Sequence, residues 1–332
     1  MTAELPLLAG QLLTIAFASG LNLYATVAAL GIASRVLGAG TLPVGLLGLE
    51  NGIVIASAAT LFLVESVVDK VRHVDSVWDA IHTPIRPIAA ALLVFAATAG
   101  APLAIQATAA ALAGACALAA HATKAGLRLA INTRPGQPAG TAISFAEDGI
   151  AVAFAIVALA SPPAANGTAA LASLTCALAG PPLWRAFALG IRALAARIRG
   201  FFGTPRWKEM HELPPALRPL LESPGLGEPA HRATRAAIHA QRPTGTHRNG
   251  WLVITHDGPC LLYRSLLGAR RITLPRSRDL HVRTGPWADT IEIRSERFPY
   301  TLLLLKDGPS AHVICGDLVE PAENGTKPHP MG

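Results

Sequence analysis

Apolar residues fill positions 5 to about 200 in five or six long runs, interrupted at few points by polar or ionisable residues. The first run, Leu5 to Leu37, exceeds the ~20 residues that one straight membrane helix needs, and it breaks at Ala18-Ser19-Gly20-Leu21-Asn22. Two segments are expected there, about 5–18 and 21–38, the first short enough to be re-entrant. A loop with Pro43 and Asn51 leads into a helix over about 52–70. Asp75 has the character of an N-cap and Pro84 that of a stop, which predicts a short helix between them. Arg86 opens the next apolar run, to Gly100. Leu103 to Asn132 reads as one long Ala-rich helix and Ala142 to Ser161 as another. The last run begins near Thr168, is expected to kink at Pro181-Pro182 and ends as an Arg-bearing amphipathic stretch near Phe202. The pattern is that of an all-α polytopic membrane bundle of about six or seven membrane helices, one of them short or re-entrant.

After Gly203 the texture changes. Two short helical stretches are expected at about 206–222 and 228–240. Seven short alternating or β-branched segments follow: 251–255, 260–264, 270–274, 279–283, 290–294, 300–306 and 312–315, separated by turns such as His256-Asp257-Gly258 and Asp307-Gly308. They predict a small β-rich domain, a barrel or a sandwich that resembles a pleckstrin-homology domain in pattern. The implied division is a transmembrane helical domain over 1–202, a helical linker over 203–245, a β-rich domain over 246–316 and a disordered tail over 317–332.

Composition agrees. Of the 332 residues 51% are hydrophobic and 15% charged, against the ~25% charged of soluble domains. The polar residues are unevenly placed: 17 of the 28 Lys and Arg, and 13 of the 21 Asp and Glu, follow residue 202. The net charge of +7 arises partly from Arg185, Arg192, Arg197, Arg199, Arg206 and Lys208, beside the last apolar run. Basic residues in that position follow the positive-inside rule, and no RNA- or DNA-reading motif accompanies them, so no nucleic acid is expected. With the C-terminal domain in the cytoplasm, alternation puts Lys70, Arg72, Arg86, Lys124, Arg128 and Arg134 at cytoplasmic ends and only Arg35 opposite. That implies a multi-pass protein of the bacterial inner (cytoplasmic) membrane. Met1-Thr2-Ala3-Glu4 lacks a basic n-region, so the first apolar run is expected to be retained. The four cysteines form no CxxC pair and fit free thiols in a reducing compartment.

Charge within a membrane segment is costly and marks a partner or a water-filled path. Glu65 and Asp69 stand at i, i+4 on one helix face, where hard carboxylate oxygens suit a cation or proton; the plainer reading makes Asp69 an interfacial cap. Asp75, Asp79 and His82 extend an acidic site or lock a helix turn, and Trp78 reads as an interfacial anchor. His121, Lys124, Arg128 and Asn132 share a face. Lys124 and Arg128 either snorkel to an interface or pair with Glu65, Asp69 or Glu147 across the bundle. Glu147 and Asp148 lie near the start of a membrane helix, where the macrodipole favours negative charge. Asn22, after the Gly20 break, is placed nearest them. Arg264, Arg270 and Arg271 flank strand ends and are candidates for contact with lipid headgroups or a protein partner. No cofactor is evident beyond a cation or proton, and the identity of any metal is left open. No Gly-rich nucleotide loop, GxSxG or HExxH appears, so an enzyme is disfavoured.

Ser19-Gly20-Leu21-Asn22, Glu65 with Asp69-Lys70, Val74-Asp75-Ser76-Val77-Trp78-Asp79-Ala80-Ile81-His82-Thr83, Arg86-Pro87, His121-Ala122-Thr123-Lys124-Ala125-Gly126-Leu127-Arg128, Asn132-Thr133 and Ala146-Glu147-Asp148 occur in that order. Over about residues 5–190 the chain resembles domain-of-unknown-function family 4126. The resemblance implies a bacterial polytopic membrane protein and carries no settled activity. Glu65, Asp69-Lys70 and Glu147-Asp148 are also similar to the Glu-x-Gly-Asp-Lys/Arg motifs of cation/proton exchangers, without the Gly and with three residues rather than two between the acids. The function expected is permease-like movement of a small solute or ion through the acidic site. The alternative is a non-transporting scaffold or sensor whose C-terminal domain binds a partner or lipid headgroups.

Overall fold

The computed structural model describes residues 4–38, 40–69, 71, 74–132, 139–221, 232–240, 247–255, 258–265, 268–277, 279–285, 288–294 and 300–319. The chain forms two compact units, Met1–Gly190 and Ile191–Gly332.

The first unit is helical. Its elements are α1 (Glu4–Leu21), α2 (Leu23–Leu37), a 3-10 turn (Val44–Glu50), α3 (Gly52–Val68), α4 (Val74–Ala97), α5 (Leu103–Asn132), α6 (Ala139–Ala160) and α7 (Pro162–Phe202), the last entering the second unit's residues. The expected break falls at Asn22, which ends α1 and caps α2: its Oδ1 accepts from the Ala25 N–H at 2.9 Å. Asn51 caps α3 in the same way, accepting from the Ile53 N–H at 2.8 Å.

Among the described residues four helices are long and apolar enough to cross a membrane, within α4, α5, α6 and α7. A fifth span results if the 3-10 turn and α3, bent by 70°, count as one. Leu8–Leu21, within α1, and Leu23–Leu37, which is α2, are apolar but shorter. One sequence expectation is corrected here. Pro84 does not stop a short helix, because α4 continues through Pro84 and Pro87 as one element, and Asp75 lies in its first turn rather than at its cap. Proline inside apolar helices is tolerated where neighbours satisfy the freed carbonyls. Helix α7 passes Pro181 and Pro182, as expected, and begins at Pro162, earlier than expected.

Small residues let these helices approach. Leu12 and Ala16 of α1 pack with Ala90 and Val94 of α4 and Ala113 and Ala117 of α5. A Cβ on Gly20 would stand 2.4 Å from the Ala117 carbonyl oxygen, and one on Gly126 2.1 Å from that of Leu183. Such contacts drive helix association where no hydrophobic effect operates.

Among the described residues the second unit holds seven antiparallel strands: β1 (Arg232–Ala240), β2 (His247–Thr255), β3 (Gly258–Ser265), β4 (Gly268–Thr273), β5 (Leu280–Arg283), β6 (Ala288–Ile293) and β7 (Tyr300–Leu305). Their order is β4-β3-β2-β1-β7-β6-β5, with α8 (Ala311–Leu318) after them. Ile238, Leu252, Leu261, Ile291, Leu302 and Ile314 are part of one core.

Three stretches differ from expectation. The stretch expected as helix at 228–240 is, where described, strand β1. It pairs on both sides, with β2 and β7, and Ala233, Ala236, Ala237 and Ile238 are all buried. A central strand covered on both faces loses the alternation that marks a half-buried one. The segment 312–315, expected as strand, belongs to α8, whose buried Ala311, Ile314 and Leu318 recur at helical spacing. The helix expected over 206–222 reduces to two 3-10 turns, Met210–Glu212 and Pro215–Leu220, in a segment rich in proline. Asp317 and Leu318 of the expected tail close α8; residues 320–332, with Lys70, Arg72, Arg134 and the turn residues His256 and Asp257, lie outside the described residues.

Candidate functional site

Helix α1 ends at Leu21, so the carbonyls of its last turn have no partner within the helix. Two cations from other helices supply the missing donors. The Arg86 Nη1 on α4 donates to the Gly20 and Leu21 carbonyls, at 2.9 Å each. The Lys124 Nζ on α5 donates to the Leu21 carbonyl at 2.8 Å. The negative end of the α1 dipole favours both.

Around these cations gather the acids. The Arg86 Nη2 donates to the Glu65 Oε1 of α3, and neither side chain has any exposed surface. Lys124 Nζ lies 3.5 Å from Glu65, 3.7 Å from Asp69 and 3.8 Å from Glu147, beyond close hydrogen-bond length to each. Arg128, one helical turn further along α5, donates through Nη2 to Asp69 Oδ2 at 2.6 Å and to Glu147 Oε2 at 2.8 Å. Its Nη1 stands 3.9 Å from Asp79 Oδ2. Lys124 and Arg128 therefore pair across the bundle, and the snorkelling reading is set aside. Arg86, placed at a cytoplasmic helix end by the charge pattern, is fully buried for the same reason: an uncompensated guanidinium in an apolar bundle needs acids and carbonyls around it.

Two histidines adjoin the network. A guanidinium only donates, so His121 Nδ1, 3.0 Å from Arg86 Nη1, faces it as an acceptor and shares the two Nη1 hydrogens with the Gly20 and Leu21 carbonyls, while the His121 Nε2–H donates to the Asp79 carbonyl at 3.0 Å. That fixes a neutral imidazole with the proton on Nε2. His82 Nδ1–H donates to the Trp78 carbonyl at 2.9 Å, and its Nε2 accepts from the Tyr24 hydroxyl at 3.0 Å. Trp78, expected as an interfacial anchor, stacks on the His82 ring at 4.4 Å.

Asn22 lies beside the acids of α6, as expected: its Nδ2 donates to Asp148 Oδ1 at 2.8 Å. Ser66 Oγ donates to Asp148 Oδ2 at 3.4 Å. Thus Glu65, Asp69, Asp79, His121, Lys124, Arg128 and Glu147 form one cluster, with Asn22–Asp148 and His82 against it. Asp75 is buried in the first turn of α4, and the Asn132 side chain lies outside the described residues. Sequence reasoning missed Arg86 as a site residue. The signal was present: Asp79, His82 and Arg86 fall at i, i+3 and i+7, but reading Pro84 as a stop hid that shared face.

Among the described residues the network sets four carboxylates (Glu65, Asp69, Asp79, Glu147) against three cations (Arg86, Lys124, Arg128). One oxygen of each acid, Glu65 Oε2, Asp69 Oδ1, Asp79 Oδ1 and Glu147 Oε1, is buried without a hydrogen-bond donor. No group of three or more His, Cys, Asp or Glu among the described residues is arranged to hold a metal ion; the cations stand between the acids. In the second unit, Arg264 and Arg271 share a face of the β3–β4 hairpin, while Arg270, opposite Tyr263, points the other way.

Helices of span length followed by an antiparallel sheet define a multi-pass membrane protein. The chain matches the family described as Domain of unknown function (DUF4126) over residues 9–180, more than half its length, and it belongs to that family. Comparison with curated proteins and with solved structures finds no match.

Proposed function

We propose that the helical unit is a permease-like device for a proton or a small monovalent cation, worked by the acids around Lys124. One observation carries the reading: among the described residues four buried carboxylates share three cations, and each keeps an oxygen without a donor. Such an excess is costly in an apolar bundle unless a proton or cation offsets it. Lys124 is a tethered cation at long distance from three acids at once, so a mobile cation or proton entering the cluster competes with a held one. The broken pair α1–α2 supports the same reading, since helices interrupted near polar groups recur at transporter sites. In this reading α1 to α7 all lie in the bilayer of the bacterial inner membrane. Arg192, Arg197 and Arg199 near the end of α7 favour a cytoplasmic C-terminal unit, and its strand order with a closing helix favours a pleckstrin-homology-like barrel.

The test is flux in proteoliposomes loaded with a pH- or cation-sensitive dye, comparing wild type with Glu65→Gln and Glu147→Gln. Wild-type flux is expected to exceed both variants. Equal flux in all three removes the carboxylate mechanism.

A second reading rests on the closure of the pairs: Glu65 and Arg86 are sealed together with no exposed surface. The network then acts as a lock in a non-transporting scaffold or sensor, with Arg264, Arg270 and Arg271 contacting lipid headgroups or a protein partner. Folding separates the two. A Glu65→Gln protein that melts like wild type but loses its cellular phenotype favours transport; one that only unfolds favours the lock.

A further inference from the structure

The second unit holds a cavity of about 360 Å³ at the end of α7. Arg199, Arg206, Lys208 and Arg235 line it, with Asp307 as the one acid in its wall among the described residues. Asp307 Oδ2 takes Arg199 at 3.1 Å and Arg235 at 3.5 Å, and Glu212 takes Arg206 at 3.0 Å. Lys208 has no ion-pair partner among the described residues. Four cations thus face two carboxylates, leaving positive charge in excess around an open space.

The cations are held in place yet accessible. Arg199, Arg206 and Arg235 keep 48%, 59% and 42% of their side-chain surface exposed. The Arg235 guanidinium lies over the Trp251 ring at 5.4 Å, a contact that favours this position. Gly200 lets the helix meet the turn after β7: a Cβ there would stand 2.4 Å from the Lys306 carbonyl oxygen. That contact brings Arg199 to Asp307, and Gly200 and Gly203 leave the wall without side chains.

We infer that this cavity is a binding site for a phosphate ester. Arginine forks match phosphate oxygens two at a time, and the volume lies within the range of small-ligand sites. The position names the source to try first. Phe201 and Phe202, exposed to 79% and 84%, close the Arg-bearing amphipathic stretch that follows the apolar, span-length part of α7. Aromatic residues at such a helix end sit at headgroup level, and Arg199 lies two residues before them. The phosphate of an anionic lipid headgroup is therefore the expected occupant, and free phosphate is the other source of the same chemistry. The site is distinct from the Arg264, Arg270 and Arg271 surface and does not depend on the transport reading.

The experiment uses the full chain in neutral detergent, with phosphatidylglycerol labelled on its acyl chain as probe. Inorganic phosphate is the competitor and labelled phosphatidylcholine the zwitterionic control. Arg199→Gln with Arg235→Gln is expected to weaken phosphatidylglycerol binding about tenfold or more, the loss of charge-assisted hydrogen bonds. Arg206→Gln with Lys208→Gln, which leaves the Asp307 pairs intact, is expected to do the same and decides the matter if the first variant unfolds. Inorganic phosphate that displaces the lipid only at far higher concentration supports the headgroup as source; phosphate that binds the wild type as tightly as the lipid does, and is lost in the variants, supports the free ion. The inference is overturned if a folded cavity variant binds both probes like wild type. It is equally overturned if Arg264→Gln with Arg270→Gln loses as much, since diffuse surface charge then explains the binding.

Discussion

Arg86 and Glu65 sit on different helices, both without exposed surface, and the guanidinium that holds the carboxylate also closes the end of a third helix at Gly20 and Leu21. One side chain thereby joins α4, α3 and α1, and through His121 it reaches α5. The break at Asn22 and the charges of the bundle are one construction: the interrupted helix offers carbonyls, the carbonyls draw cations, and the cations draw acids.

The first prediction follows from the sign of the charge. Removing Arg86 takes the donor from the Gly20 carbonyl and from His121 Nδ1, leaves Glu65 with only the more distant Lys124, and enlarges the negative excess; the Leu21 carbonyl keeps Lys124. Removing the Glu65 charge brings acids and cations into balance and keeps an acceptor for Arg86. Arg86→Gln is expected to cost about 3–5 kcal/mol, the figure for breaking a buried pair, and Glu65→Gln clearly less. Thermal unfolding of the full chain in detergent measures both, and equal losses would show that the excess does not exist.

Lys124 gives the second. Its ammonium is the shared counter-charge of Glu65, Asp69 and Glu147. With Lys124→Gln the cluster carries one more uncompensated negative charge, and any small cation that binds the folded state raises its stability by mass action. Replacing choline chloride by sodium or potassium chloride at constant ionic strength is expected to raise the melting temperature of Lys124→Gln by several degrees more than that of wild type. Identical shifts would remove the idea that Lys124 stands where a cation can.

Gly20 gives the third. A methyl group there meets the Ala117 backbone, its carbonyl oxygen at 2.4 Å and its Cα at 2.8 Å, and backbone cannot rotate away. Gly20→Ala is expected to separate α1 from α5 and cost about 1–3 kcal/mol, as overpacking does. It also draws the Leu21 carbonyl from Lys124. A melting temperature equal to that of wild type would mean the two helices are not tightly packed at this point.

Much of this was legible in the sequence, for definite reasons. The ends of α5 match expectation because a long apolar stretch bounded by turn residues has few alternatives. The pairing of Lys124 and Arg128 with acids across the bundle was one of two readings open, since spacing on one helix fixes a shared face but not what that face meets. Arg86 was hidden by a local rule: proline stops helices in water, where freed carbonyls find solvent, but α4 runs through Pro84 and Pro87 in an apolar bundle. Strand β1 was hidden by the reverse effect, because an Ala-rich strand buried on both faces has a helix former's composition and no alternation. The basic cavity joins Arg199, Lys208, Arg235 and Asp307 across more than a hundred residues, a distance over which periodicity says nothing.

Asn22 and Asp148 give the last prediction, and the most specific. Asn22 does two tasks with one amide: Oδ1 caps α2 at Ala25, and Nδ2 donates to Asp148 Oδ1. Asn22→Ala loses the cap, about 1 kcal/mol, and a hydrogen bond to a buried charge, about 1.5–3 kcal/mol. Asn22→Asp keeps the cap but sets two carboxylates against each other in a buried place, so it is expected to destabilise as well. Combining Asn22→Asp with Asp148→Asn exchanges the partners: the carboxylate, now at the start of α2, still caps and is favoured by the helix dipole, and the amide on α6 donates back to it. The double exchange is expected to recover most of the stability lost in Asn22→Asp, with a coupling energy of roughly 0.5–3 kcal/mol from a double-mutant cycle. A coupling of zero would mean that the two side chains do not meet in the folded protein, and the join between the helix break and the acidic end of α6 would have to be abandoned.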